Sequence, residues 1–99
     1  KIGAEIKENT KLDDLIIANQ VNASPQIFYY GQRKGWGVTL DQKLNPATLT
    51  EYVNKGARLY VMVGGNLEEN DPELIGFLKS RHQFLKKDDK ITLFKLIPQ

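Results

Sequence analysis

The chain has one histidine and no cysteine in 99 residues, so nucleophilic and metal chemistry have few places to start. A Ser–His–Asp relay needs a histidine beside a serine held in a sharp turn. His82 lies in the run Arg81-His82-Gln83, late in a helical pattern and with no such serine near it, and it reads as a surface or partly packed helical side chain. One histidine without a thiolate does not make a zinc site. Carboxylate pairs suited to general acid–base work occur at Asp13-Asp14, Glu68-Glu69 and Asp88-Asp89. Each falls in an expected turn, where solvated acids are ordinary. Asp13-Asp14 also precedes a strand, at the sheet end opposite the usual binding edge. Gly64-Gly65-Asn66-Leu67-Glu68 fits neither a dinucleotide fingerprint nor a phosphate-cradling loop, and reads as a sharp turn out of a strand. The sequence therefore assigns no catalytic residue, no metal ligand and no cofactor.

The elements that would position any site are clearer. Three helix starts share one grammar, a capping side chain followed by proline: Ser24-Pro25, Asn45-Pro46 and Asp71-Pro72. The Ser, Asn or Asp oxygen accepts from an orphan first-turn amide, and proline lacks only an amide that had no partner. The helix from Pro25 carries Ile27, Phe28 and Tyr30 and is expected to end near Gly35. The helix from Pro46 places Leu49, Tyr52 and Val53 on one face and stops at Gly56, a left-handed cap. The helix from Pro72 carries Leu74, Ile75, Phe77, Leu78 and Leu85, with Asp71 and Glu73 at its start and Arg81, His82, Lys86 and Lys87 in its last turns. That order of charge complements the helix dipole. A further helix begins the chain at Ile2, Ala4 and Ile6.

Between the helices lie four strands. Leu15-Ile16-Ile17-Ala18 and Leu59-Tyr60-Val61-Met62-Val63 are apolar throughout, as strands covered on both faces are. Trp36–Leu40 and Ile91–Ile97 are interrupted by Gly, Thr or Lys, as nearer an edge. Helix and strand alternate, which predicts right-handed crossovers. The expected fold is a single α/β domain over 1–99: a small three-layer Rossmann-like arrangement, with a four-stranded, mostly parallel sheet in the order 2-1-3-4 and helices on both faces.

That order places a crevice outside the C-terminal ends of strands 1 and 3, where the strand order reverses. Asn19, Gln20, Asn22 and Ser24 on one side and Gly64, Gly65 and Asn66 on the other are the candidate ligand-binding residues. Their amides and the free N–H groups at the Pro25 helix start suit a sugar hydroxyl or an anion; the same residues also serve simply as turn formers and caps. Tyr29, Tyr30, Arg33, Lys34 and Trp36 form a second candidate, an aromatic and basic patch for a glycan, a lipid phosphate or a neighbouring domain. The structural reading of that stretch has Gly35 ending a helix, Arg33 and Lys34 facing its negative end, and Trp36 packing.

The 14 Lys+Arg against 12 Asp+Glu leave a net charge of +2, too balanced to argue for nucleic acid or an anionic membrane surface. The longest apolar run, Leu59–Val63, is far short of the ~20 residues a membrane-spanning helix needs. No charged n-region followed by an apolar h-region appears, as a signal peptide would show. The chain begins at Lys1, not Met, and enters a helix at once. Either a tag or start Met was removed or, the favoured reading, this is a fragment of something longer.

Tyr29-Tyr30 followed by Arg33-Lys34-Gly35-Trp36, and Lys55-Gly56-Ala57-Arg58-Leu59-Tyr60-Val61 after the next helix, carry a family likeness. The chain resembles, from about Ile2 to Ile97, the soluble domain that follows the transmembrane region of bacterial membrane glycosyltransferases, the dolichyl-phosphate-mannose–protein mannosyltransferase-like and aminoarabinose-transferase-like enzymes. The resemblance implies a non-catalytic accessory domain of a multi-pass enzyme with a polyprenyl-phosphate sugar donor. Its partners would be the transmembrane region of the same polypeptide and a glycan or lipid-linked sugar, and its place extracytoplasmic, periplasmic or on the outer face, tethered to the membrane. The family's catalytic acids lie in loops between membrane spans, outside this chain. The alternative is an independent flavodoxin-like or Rossmann-like module that binds a small anionic or nucleotide ligand in the crevice.

Overall fold

The computed structural model describes residues 2–20, 33–39, 44–63, 72–87 and 91–98. They form three helices, α1 (Ile2–Glu8), α2 (Pro46–Asn54) and α3 (Pro72–Arg81), and five strands, β1 (Leu15–Gln20), β2 (Lys34–Thr39), β3 (Ala57–Val63), β4 (Gln83–Lys87) and β5 (Ile91–Lys95). The expected helix from Pro25 lies outside the described residues.

The strands make one sheet in the order β2-β1-β3-β5-β4. β1 pairs in parallel with β2 and with β3, whereas β5 runs antiparallel to both β3 and β4. The protein is thus α/β with a mixed sheet of five strands, not the four-stranded, mostly parallel sheet that the sequence suggests. The four expected strands stand side by side in the expected order, and β4 is added at the far edge. The end of the Pro72 helix supplies it. That helix stops at Arg81, and residues 83–87, with Lys86 and Lys87, become an edge strand.

The physical reason lies in β5. Thr92, Leu93 and Phe94 are buried in succession, which corrects the expectation of an edge strand there. An exposed edge of that kind would offer unpaired N–H and C=O groups to any other chain. The β4–β5 hairpin covers it, and β4 runs in the same direction as β1, β2 and β3. The crossover through α3 therefore ends on a parallel strand, one position farther out than expected.

Two cores flank the sheet. Ile17, Tyr60, Met62 and Phe94 project to one side, where Leu49 and Val53 of α2 and Leu74 and Leu78 of α3 cover them. Ile16, Ala18, Leu59, Val61 and Leu93 project to the other side, where Ile6 of α1 covers them. Successive residues of β1 and β3 thus alternate between cores, which is why both strands are apolar throughout. Leu85, expected on α3, instead packs from β4 against the second core.

Two local signals read in the sequence operate as chemistry predicts. Asn45 Oδ1 accepts from the Thr48 N–H at 2.8 Å with Pro46 in the first turn, so the start of α2 is capped. Gly56 ends the exit from α2 at φ +116°, where an L side chain is strained. Gly35 is different. It does not end a helix but sits inside β2 at φ +153°, and a Cβ there would lie 1.8 Å from the Ile16 carbonyl oxygen.

Candidate functional site

β1 leads to β2 on one side and β2 leads past β1 to β3 on the other, so the order reverses between β1 and β3. In the register of the sheet Asn19 lies opposite Met62 and Gln20 opposite Val63, so the two strands end together at this point. Ligands of open α/β sheets gather at such an edge.

Asn19 is the described side chain of the candidate crevice, and it is 5% exposed. Its Nδ2 donates to the Tyr60 hydroxyl at 2.6 Å, and Tyr60 is fixed in turn by an edge-to-face contact with Phe94. Asn19 Oδ1 is buried and accepts no hydrogen bond. A buried acceptor without a donor costs roughly 1–3 kcal/mol. Gln20 closes β1, paired with Thr39 and Val63. Asn22, Ser24, Gly64, Gly65 and Asn66 lie outside the described residues. Tyr60 was not legible as part of this arrangement, because it reads as one more member of an apolar run. The signal was its hydroxyl: a buried Tyr must find a polar partner, and an Asn at the end of the next strand is the natural one.

Of the aromatic and basic stretch, Arg33, Lys34 and Trp36 are described. Arg33 Nε donates to Thr10 Oγ1 at 2.9 Å, tying the start of β2 to the turn after α1. Lys34 opens β2 and is exposed. Trp36 stacks on Tyr52 of α2, with ring centroids 4.4 Å apart and planes 14° from parallel, and packs against the first core. Tyr29 and Tyr30 lie outside the described residues.

Among the other candidates Asp14 has a structural role. Asp14 Oδ2 accepts from the Lys11 N–H at 2.8 Å, as an acid in a turn does. Asp13 and Asp14 line a shallow depression of about 380 Å³ with Leu12, Leu15, Arg33 and Lys34, at the N-terminal ends of β1 and β2 and away from the strand-order reversal. Glu68-Glu69 and Asp88-Asp89 lie outside the described residues. His82 is neither on the surface nor helical: it follows α3 and is buried. Burial, with a smaller contribution from the neighbouring Arg81 cation, lowers its pKa from the usual 6.5. Among the described residues no group of three His, Asp or Glu side chains converges as metal ligands would, and no helix is long and apolar enough to cross a membrane.

The chain matches no family model, no curated protein and no solved structure. What the fold and the site define is an α/β domain with a polar, partly unsatisfied position at its strand-order reversal.

Proposed function

We propose that this chain is a non-catalytic accessory domain of a multi-pass membrane glycosyltransferase that uses a polyprenyl-phosphate sugar donor. It works outside the cytoplasm, tethered beside the transmembrane region of the same polypeptide. The reading rests on the two stretches that carry the family likeness, and one observation supports it above the others. Trp36, from the first stretch, stacks on Tyr52, three residues before Lys55-Gly56-Ala57 of the second. Trp36 of the first stretch thus packs on α2, the helix that leads into the second stretch. Among the described residues, Asp14 is engaged in a turn, Arg33 on Thr10 and His82 on the backbone of Ile97. The parallel β2-β1-β3 triplet, with helices on both faces, further supports a variant of the doubly wound, Rossmann-like arrangement.

The test is the native polypeptide. Antibody raised against the 99-residue chain should detect a protein far larger than 11.3 kDa that sediments with membranes and needs detergent to leave them. A native product of about this size in the soluble fraction would sink the reading.

Asn19 favours a second reading, a module that binds a small ligand between β1 and β3. Its unpartnered Oδ1 calls for a ligand hydroxyl or amine, and the edge suits a small anionic or nucleotide ligand that carries one. Calorimetry with a nucleotide, a flavin and a sugar phosphate should then give heat that Asn19→Ala abolishes. Silence across that panel would remove this reading and leave the first untouched.

A further inference from the structure

At the opposite end of the sheet, His82 joins α3 to the segment after β5. Its backbone N–H donates to the Leu78 carbonyl at 2.9 Å and closes α3. Its ring meets Phe77 edge to face at 5.8 Å. Its Nδ1 accepts the N–H of Ile97, beyond β5, at 2.9 Å. The residue is 7% exposed. With Nδ1 accepting, the neutral ring carries its proton on Nε2, and Nε2 is buried without a partner.

We propose that His82 is a pH-operated clasp. Neutral, it holds the Ile97 amide at the end of α3; protonated, it gives that hydrogen bond up.

The step is a proton from solvent added to Nδ1, whose lone pair is the one that accepts the Ile97 N–H. Nδ1–H then faces the Ile97 N–H donor to donor, and the hydrogen bond is lost. Among the described residues, the elements packed against the ring bring no neighbouring carboxylate to compensate the new charge. On α3 the neighbouring ionised group is the Arg81 guanidinium, which lies over the Phe77 ring at 5.8 Å. On β5 it is Lys95, opposite Gln83 of β4, and farther along β4 stand Lys86 and Lys87. The one carboxylate on these elements, Glu73, is in the first turn of α3; residues 96–98 bring no charge. Burial and Arg81 both oppose protonation, so the clasp is closed at neutral pH and opens in acid. The Leu96 N–H is held separately, by the Arg58 carbonyl at 2.9 Å.

The experiment is an NMR titration of the 99-residue chain from alkaline to acid pH, following the His82 ring and the Ile97 amide together. Both should move with one midpoint below 6.5, the ordinary histidine value. Exchange of the Ile97 amide, corrected for its intrinsic pH dependence, should speed by roughly threefold to tenfold, the size of one lost hydrogen bond. In His82→Gln, whose side-chain oxygen accepts without titrating, the Ile97 amide should lose that midpoint. An Ile97 amide indifferent to His82 titration, or one with the same midpoint in His82→Gln, would overturn the proposal. If the variant does not fold, co-titration in the native chain decides alone.

Discussion

The backbone of Gly35 runs so close to β1 that an added methyl group would collide with the Ile16 carbonyl, and its φ of +153° is one that side chains rarely adopt. Ile16 is a fully buried residue at the centre of the sheet, so β1 has no room to retreat. Gly35→Ala should therefore cost roughly 3 kcal/mol or more, in the range of severe backbone effects. Urea unfolding followed by far-ultraviolet circular dichroism measures it, and a loss under about 1 kcal/mol would mean that β2 shifts freely at this edge. The glycine was visible in the sequence and its reason was not. After an aromatic helical pattern and two basic residues, a glycine reads as a helix stop. The close approach that demands it here is set by a partner strand 19 positions earlier in the chain. Asn19 shows the reverse case. Its place at a strand end and beside the order reversal was legible from topology, while its bond to Tyr60 depends on a neighbouring strand and was not.

Among the elements, what was local was legible. The Asn45 cap joins atoms three residues apart, and Leu49 and Val53 lie a turn apart on the buried face of α2. Asn45→Ala leaves the Thr48 amide without its partner and should cost about 1 kcal/mol, while Asn45→Ser should recover most of it. Thermal or urea unfolding of the pair checks this, and equal losses for both would place the effect elsewhere than in the cap. The boundary between α3 and β4 could not be read in the same way. Leu85 is seven residues after Leu78, which suits a helix face, yet Phe84 and Leu85 also suit a strand that sends neighbours to opposite sides. In the structure Phe84 meets Phe94 edge to face at 5.5 Å and Leu85 joins the core on the other side. The choice belongs to β5, whose buried run needs a covering partner. No propensity within residues 82–87 carries that information.

Across the whole molecule, the two cores share their strands. Ile16 and Ile17 on β1, and Leu59 and Tyr60 on β3, send adjacent side chains to opposite sides of one sheet, so neither core can melt while the other keeps its backbone. The two ends of the sheet are distinct as well, with Asn19 at one and His82 at the other, and substitutions there should act independently. The sharing of strands makes a stronger demand. Ile6 is fully buried from α1 against Ile16, Ala18, Leu59, Val61 and Leu93, and its neighbour Glu5 pairs with Lys86 of β4. Trp36, the one tryptophan of the chain, packs on the far side against Tyr52. Ile6→Ala should lose roughly 2–5 kcal/mol, as buried large-to-small substitutions do. The urea midpoint read by Trp36 fluorescence should fall together with that read by circular dichroism, although the tryptophan touches nothing that was changed. A fluorescence midpoint that stayed in place while the helical signal fell early would mean that α1 detaches by itself. The first core would then be the cooperative unit, and α1 an appendage to it.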